Sequence, residues 1–344
     1  MPDIVTVTLN PAVDVATSIE RVLDTRKLRC SAGRRDPGGG GINVARVVQR
    51  LGGDCLALYL AGGVMGRMLT QLLDAEHVAG LCIEIAGETR ENFSVSETAT
   101  GREYRFVLPG PPVTQHEWER CLDQVNSFAA PPRYLVMSGS LPPGAPADLY
   151  ARLARTASAR GTRVVLDTSG PALAAALDAG VYLVKPSLNE LRELTGQPLA
   201  TETEWHCAAQ DIVRKGRARL VALTLGERGA LVVSAERTLQ VPALPIHVCS
   251  AIGAGDSFLA ALIWALNRGA GIEEACSYGQ AAASAALLSV GTGLCSRADV
   301  ERLYREASCD PNRAPGPSQF ATGESCQRKR RTHSVPRRHG RKAP

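Results

Sequence analysis

The sequence predicts an α/β fold: a doubly wound, mainly parallel sheet flanked by helices, with a small β-sheet lid. Three observations point there. Short β-rich runs alternate with helical stretches through most of the chain, as βαβ units require. The composition is 44% hydrophobic but only 4% aromatic, an aliphatic balance that suits strands buried on both faces. Two polar, β-rich pieces interrupt the alternation and are candidates for a separate small sheet. At 344 residues the chain is long enough for one large α/β domain with such an appendage.

Taken in order, strands are expected at residues 4–9, 56–61, 134–138, 163–167, 181–184 and 220–224. Helices are expected between them at 42–51, 65–76, 117–128, 148–159, 189–195 and 203–215. Past Thr224 the pattern changes to short strands at 230–234 and 238–241, then to long helices at 255–268 and 272–289. The lid is expected from about 13–36, read as irregular and polar, and from 89–108, where two β-runs flank Thr100-Gly101 as a hairpin. A lid over an active site is a natural use for such a piece.

The globular body is expected to span 1–308 and a basic, disordered tail 309–344. Between residues 321 and 344 eight Lys/Arg face one acid, a local +7, so the remainder of a chain of net charge +5 carries −2. A near-neutral body does not read as a nucleic-acid-binding surface, and the RKRR run at 328–331 is a solvated tail in its plainest reading. The ten cysteines show no CxxC pair and no metal-ligand spacing, and are read as reduced thiols. Met1-Pro2-Asp3 leads directly into a strand pattern, and no stretch approaches the length of a membrane span. The expectation is a cytoplasmic protein with no membrane partner.

Two glycine-rich segments carry the chemistry. In Ile252-Gly253-Ala254-Gly255-Asp256-Ser257, glycines at a helix start let successive N–H groups face one anion, and the helix dipole adds positive potential. Asp256, one residue on, can take a proton from an attacking hydroxyl. The same residues would also serve as a plain helix cap. In Pro37-Gly38-Gly39-Gly40-Gly41-Ile42-Asn43, the bare backbone can approach a ligand closely and Asn43 offers a donor and an acceptor to sugar hydroxyls.

Together with Thr8-Leu9-Asn10-Pro11-Ala12-Val13-Asp14, Ser138-Gly139-Ser140-Leu141-Pro142-Pro143-Gly144, Val184-Lys185-Pro186 and Thr224-Leu225-Gly226-Glu227-Arg228-Gly229, these segments form an ordered series. It resembles the ribokinase-type carbohydrate kinases, in particular their phosphosugar branch, from about residue 4 to 307. The resemblance implies a ribokinase-like fold and a homodimer formed through the lid. The implied reaction is Mg2+-ATP-dependent phosphorylation of fructose 6-phosphate, with tagatose 6-phosphate or fructose 1-phosphate as alternative acceptors. A sugar-phosphate-binding sensor with little activity is the alternative from another class.

The resemblance also implies roles by position. Asp256 would be the base and Gly253, Ala254 and Gly255 the anion hole. Asp14, Gly38, Gly39, Asn43 and Ser140 would contact the sugar, and Lys27, Arg29, Arg90 and Arg105 its phosphate, for which guanidinium groups are well shaped. Lys185, Ser187, Thr224, Gly226, Gly229 and Ser284 would face ATP, and Glu190 would hold Mg2+ through water. Carbonyls of Ser250, Ile252, Ala286, Ser289 and Gly291 would bind K+.

The chain departs from the family pattern at two points. Ser187 stands where an Asn is usual and Ala251 where a Thr is usual. Gly40, in place of the Lys common in relatives acting on fructose 1-phosphate or tagatose 6-phosphate, favours fructose 6-phosphate.

Overall fold

Strand β1 (Ile4–Thr8, IVTVT) is buried at all of its positions, as a strand covered on both faces must be. It lies inside a ten-stranded sheet that also contains β4 (Cys55–Ala61), β5 (Ala79–Glu84), β8 (Tyr134–Ser138), β9 (Arg163–Asp167), β10 (Val181–Val184), β11 (Ala218–Thr224), β12 (Ala230–Val233), β13 (Thr238–Val241) and β14 (Gly316–Pro317). The order is β5-β4-β1-β8-β9-β10-β11-β12-β13-β14. Pairing is parallel from β5 to β11 and antiparallel beyond. The computed structural model describes residues 1–309 and 316–317. The expected disorder of the tail concerns residues that otherwise lie outside this range.

Side chains alternate across the sheet into two cores. Tyr134 and Val136 face one, packed beneath α1 (Gly40–Arg50), α8 (Ala254–Asn267) and α9 (Ile272–Leu287). Leu135 and Met137 face the other, beneath α3 (Gln115–Ser127), α4 (Leu149–Ala159) and α5 (Gly170–Ala179). Helices α2 (Gly63–Ala75), α6 (Leu188–Thr195), α7 (Glu202–Arg214) and α10 (Arg297–Ser308) complete the layers. None of the described helices is long and apolar enough to cross a membrane. Strand β5 and helices α5 and α10 were absent from the expected element list. Strand β5 (AGLCIE) is the exposed sheet edge, and its burial is too irregular to leave a periodic signal.

The lid is a four-stranded sheet in the order β3-β2-β6-β7, made of β2 (Ala12–Ile19), β3 (Arg34–Gly38), β6 (Arg90–Glu97) and β7 (Arg102–Phe106). The expectation that 13–36 is irregular is corrected: both of its ends are strands. Strand β2 pairs in parallel with β6 and antiparallel with β3. The partner β6 is some 78 residues away in the chain, so no local pattern announces the pair. Of the expected reduced thiols, Cys55, Cys121, Cys276 and Cys295 are buried and free, whereas Cys30, Cys82, Cys249 and Cys309 are exposed and free. Cys207 departs from the expectation, being disulfide-bonded.

Chain order reverses about β1, which runs out to β4 and β5 on one side and to β8 on the other. In open α/β sheets ligands collect outside the carboxyl ends of strands at such a reversal. Asn10, just past β1, donates from Nδ2 to Ser140 Oγ, just past β8, at 3.2 Å and ties the two strand ends together.

Candidate active site

Asp256 stands in the first turn of α8, whose N-cap Gly253 has φ of 75°. That left-handed conformation suits glycine, and a Cβ there would also lie 2.5 Å from Leu294 Cδ2. The turn leaves the leading N–H groups of the helix aimed outward, with Gly255 close to a second positive group: a Cβ on it would lie 3.4 Å from Lys185 Nζ. Asn43 Nδ2 donates to Asp256 Oδ2 at 2.8 Å, joining α1 to α8. Burial pushes the Asp256 carboxyl above its ordinary value, against the pull of the Asn43 N–H, Lys185 and Arg105.

Lys185, just past β10, is buried and pairs with Asp167 Oδ1 at 3.0 Å. Burial works against the ammonium, yet the Asp167 carboxylate holds its pKa above the usual lysine value. Asp167 itself is pushed up to about 6, chiefly by burial, with Lys185 opposing and the nearby Asp256 adding to the shift. A carboxylate, an ammonium and a second carboxylate thus meet beside the helix terminus. Asp167 was not among the sequence candidates, although a carboxyl closing a parallel strand is the signal that would have found it.

Toward the lid, Asp14 on β2 is buried and accepts from Asn92 Nδ2 at 2.8 Å. Burial raises its pKa, while Asn92 and the Arg105, Arg90 and Arg46 charges lower it. Gly38 packs directly on this carboxylate: a Cβ there would fall 2.3 Å from Oδ2, so any side chain would displace it. Gly39 caps α1 beside it. Asn92 is a second residue the sequence did not reveal.

The four proposed phosphate cations divide. Arg105 on β7 is exposed, yet near enough to act on both Asp14 and Asp256. Arg90 spends its guanidinium on backbone, donating to Asn10 O at 2.7 Å, Leu108 O at 2.5 Å and Pro11 O at 3.4 Å. Burial lowers its pKa, against the Asp14 charge. Lys27 and Arg29 lie in the exposed loop between β2 and β3, and the structure does not bring them to the other site residues. Ser140 is exposed at the mouth.

Among the residues expected to face ATP, Thr224, Gly226, Gly229 and Ser284 line a cleft of about 650 Å³ together with Ala254 and Gly255. Ser187 forms a bridge with Thr224, which aligns the ends of β10 and β11. The Ser187 hydroxyl is taken up as the cap of α6, accepting from Glu190 N at 3.3 Å, while Glu190 Oε2 accepts from Ser187 N at 2.7 Å. Ser284 accepts from Gln280 Nε2 at 3.3 Å. Ala251, the other departure, lines the same cleft.

Among the described residues no group of three or more His, Cys, Asp or Glu gathers for a metal. Glu190 keeps one oxygen outside its cap. That donor set suits Mg2+, which favours one or two carboxylates, waters and substrate phosphates. The two loops whose carbonyls would hold K+ lie side by side, joined by Cys249 N donating to Leu287 O at 2.8 Å.

A buried carboxylate in the first turn of a glycine-opened helix, with a lysine nearby and a small β-sheet lid over the strand ends, is an arrangement suited to a phosphotransferase acting on a sugar hydroxyl. Residues 7–299 match the pfkB family of carbohydrate kinases, and the chain belongs to that family. It is 45% identical over 307 residues to the ATP-dependent 6-phosphofructokinase isozyme 2 of Mycobacterium tuberculosis, covering 89% of this chain and 90% of the relative. The protein of that name from Escherichia coli is 41% identical over 305 residues, covering 88% and 98%. A crystal structure of phosphofructokinase-2 from Escherichia coli in complex with potassium superposes with a TM-score of 0.86 at 41% identity, covering 90% of this chain and all of that one.

Proposed function

We propose that this protein is an ATP-dependent 6-phosphofructokinase converting fructose 6-phosphate to fructose 1,6-bisphosphate. The observation that carries the reading is Asp256, a carboxylate held by Asn43 at the helix terminus where Lys185 and outward N–H groups converge. The sugar lies on Asp14, Gly38, Gly39, Asn43 and Ser140, with Arg105 reaching its phosphate. ATP lies in the cleft beside Thr224, Gly226, Gly229 and Ser284, its terminal phosphate at the turn of α8. Asp256 takes the proton of the attacking hydroxyl, while Lys185 and the N–H groups of Gly253, Ala254 and Gly255 stabilise the charge that develops on the transferring group. Glu190 would hold Mg2+, which would supply charge neutralisation, and the carbonyls of Ser250, Ile252, Ala286, Ser289 and Gly291 would hold K+.

Gly40 and the 41–45% relatives support fructose 6-phosphate as acceptor, whereas a 1-phosphofructokinase of Xanthomonas campestris is 36% identical. The working unit is the 1–308 body with its lid, and its soluble phosphosugar substrate implies a cytoplasmic role. It works as a homodimer: Phe93 and Phe106 face each other across β6 and β7, and with Val107 and Leu108 they leave an apolar lid surface exposed. The test is an ADP-release assay on fructose 6-phosphate, tagatose 6-phosphate and fructose 1-phosphate, with and without K+. The highest kcat/KM is expected for fructose 6-phosphate. Calorimetric binding of a sugar phosphate without turnover on any acceptor would instead favour a sensor, which the engaged Ser187 hydroxyl and Ala251 leave chemically open.

A further inference from the structure

Arg46 is among the largest fully buried side chains of the molecule, at 1% exposure. It projects from α1 one turn beyond Asn43. Its guanidinium forks onto Glu76 at the end of α2, with Nε to Oε2 at 2.9 Å and Nη2 to Oε1 at 2.5 Å. Nη1 then donates to Pro37 O at 2.8 Å and to Asn43 Oδ1 at 3.3 Å. Arg50 also donates to Glu76, at 3.2 Å, and Asp36 on β3 stands 4.0 Å from Arg46. Asn43 is therefore held at both ends, by Arg46 at its oxygen and by Asp256 at its nitrogen.

We propose that Arg46, clamped by Glu76, is a positioning residue that sets which end of the Asn43 amide faces Asp256. The inference rests on the reading of Asp256 as the base. A guanidinium only donates and an ionised carboxylate only accepts. With Oδ1 on Arg46 and Nδ2 on Asp256 both contacts are attractive. The flipped amide would set N–H against N–H at one end and oxygen against oxygen at the other. A buried amide has no water to relieve either conflict, so Arg46 selects one orientation from 3.3 Å on the far side of Asn43.

The consequence lies at the base. The Asn43 N–H favours the ionised form of Asp256, against the burial that disfavours it. The other charged groups facing Asp256 are Lys185 past β10, Asp167 at the end of β9 and Arg105 on β7, and none of them touches Arg46. Loss of Arg46 thus frees the amide to present its oxygen, which holds the proton on Asp256. Through Pro37 O the same guanidinium also fixes the loop that carries Gly38 against Asp14.

The test uses full-length wild type, Arg46→Met, Arg46→Lys and Glu76→Gln, with folding checked by circular dichroism and melting temperature. In the folded variants kcat is expected to fall about ten- to hundredfold at pH 7. The acid limb of the kcat/KM profile is expected to rise by about one pH unit, with KM for ATP little changed. A purely structural role would lower the melting temperature and leave that limb in place. As a readout independent of turnover, 15N-asparagine-labelled protein reports the Asn43 side-chain resonance, assigned by its absence in Asn43→Ser, through an acid titration of Asp256.

A midpoint that moves upward in either Arg46 variant, and less far in Glu76→Gln, supports the proposal. A folded Arg46 variant with wild-type limb and midpoint overturns it. Near-normal turnover in Asp256→Asn would sink the base reading instead, and the amide titration would still decide whether Arg46 orients Asn43.

Discussion

The floor of the site and the lid above it are built on opposite principles. On the floor, Asn43 donates to Asp256 at 2.8 Å and Lys185 pairs with Asp167 at 3.0 Å. In the lid, Arg105, Lys27 and Arg29 extend into solvent, and Arg90 is turned to backbone carbonyls. The contrast fits the roles proposed for the two regions. Charge that develops during reaction is best met by groups already fixed, since reorienting them would cost energy at the transition state. A substrate phosphate brings its own charge, which exposed guanidinium groups can meet without being fixed in advance.

The comparison breaks first at Asp256. Asp256→Asn is expected to lower kcat by about 10²–10⁴-fold, with ATP affinity by calorimetry essentially unchanged; near-normal turnover would take the base role from this residue. Arg105→Ala sharpens it from the other side. Loss of a charged phosphate contact should raise KM for the sugar phosphate by about tenfold or more while kcat holds, because that contact is made equally in ground and transition states. A fall in kcat with KM unmoved would put Arg105 among the floor groups.

The pH profile separates the regions in a third way. Asp256 must be ionised to act, and burial raises its carboxyl, so kcat/KM should fall about tenfold per pH unit below an acid limb lying above the ordinary aspartate range. A limb at or below that range would mean that the Asn43, Lys185 and Arg105 contacts outweigh burial. The smallest effect on chemistry is expected from Phe106→Asp, which should dissociate the homodimer proposed to form through the lid, as read by light scattering, and leave the melting temperature of the protomer nearly intact. An unchanged mass would remove the lid face from the interface.

Much of this organisation is legible in the chain. Buried parallel strands announce themselves where apolar residues run without alternation, as in YLVMS and VYLV. The glycine segments before α1 and α8 stand out because a bare backbone followed at once by a helix either caps that helix or opens its leading N–H groups to a ligand. The lid is only half legible. Its β6–β7 hairpin is local, but β2 finds β6 across most of a hundred residues, and the polarity of 13–36 reads as irregular.

By itself, then, the sequence determined the strand cores, the two glycine turns and Asp256, since each is a property of residues adjacent in the chain. Tertiary structure alone decided that Lys185 is paired to Asp167, that Asn92 holds Asp14, that Arg90 serves the backbone and that Arg46 grips Asn43. Periodicity reports which face of one element is buried. It carries no record of the distance between charged groups on different elements, and at a buried site that distance sets both the protonation state and the orientation of the reacting groups.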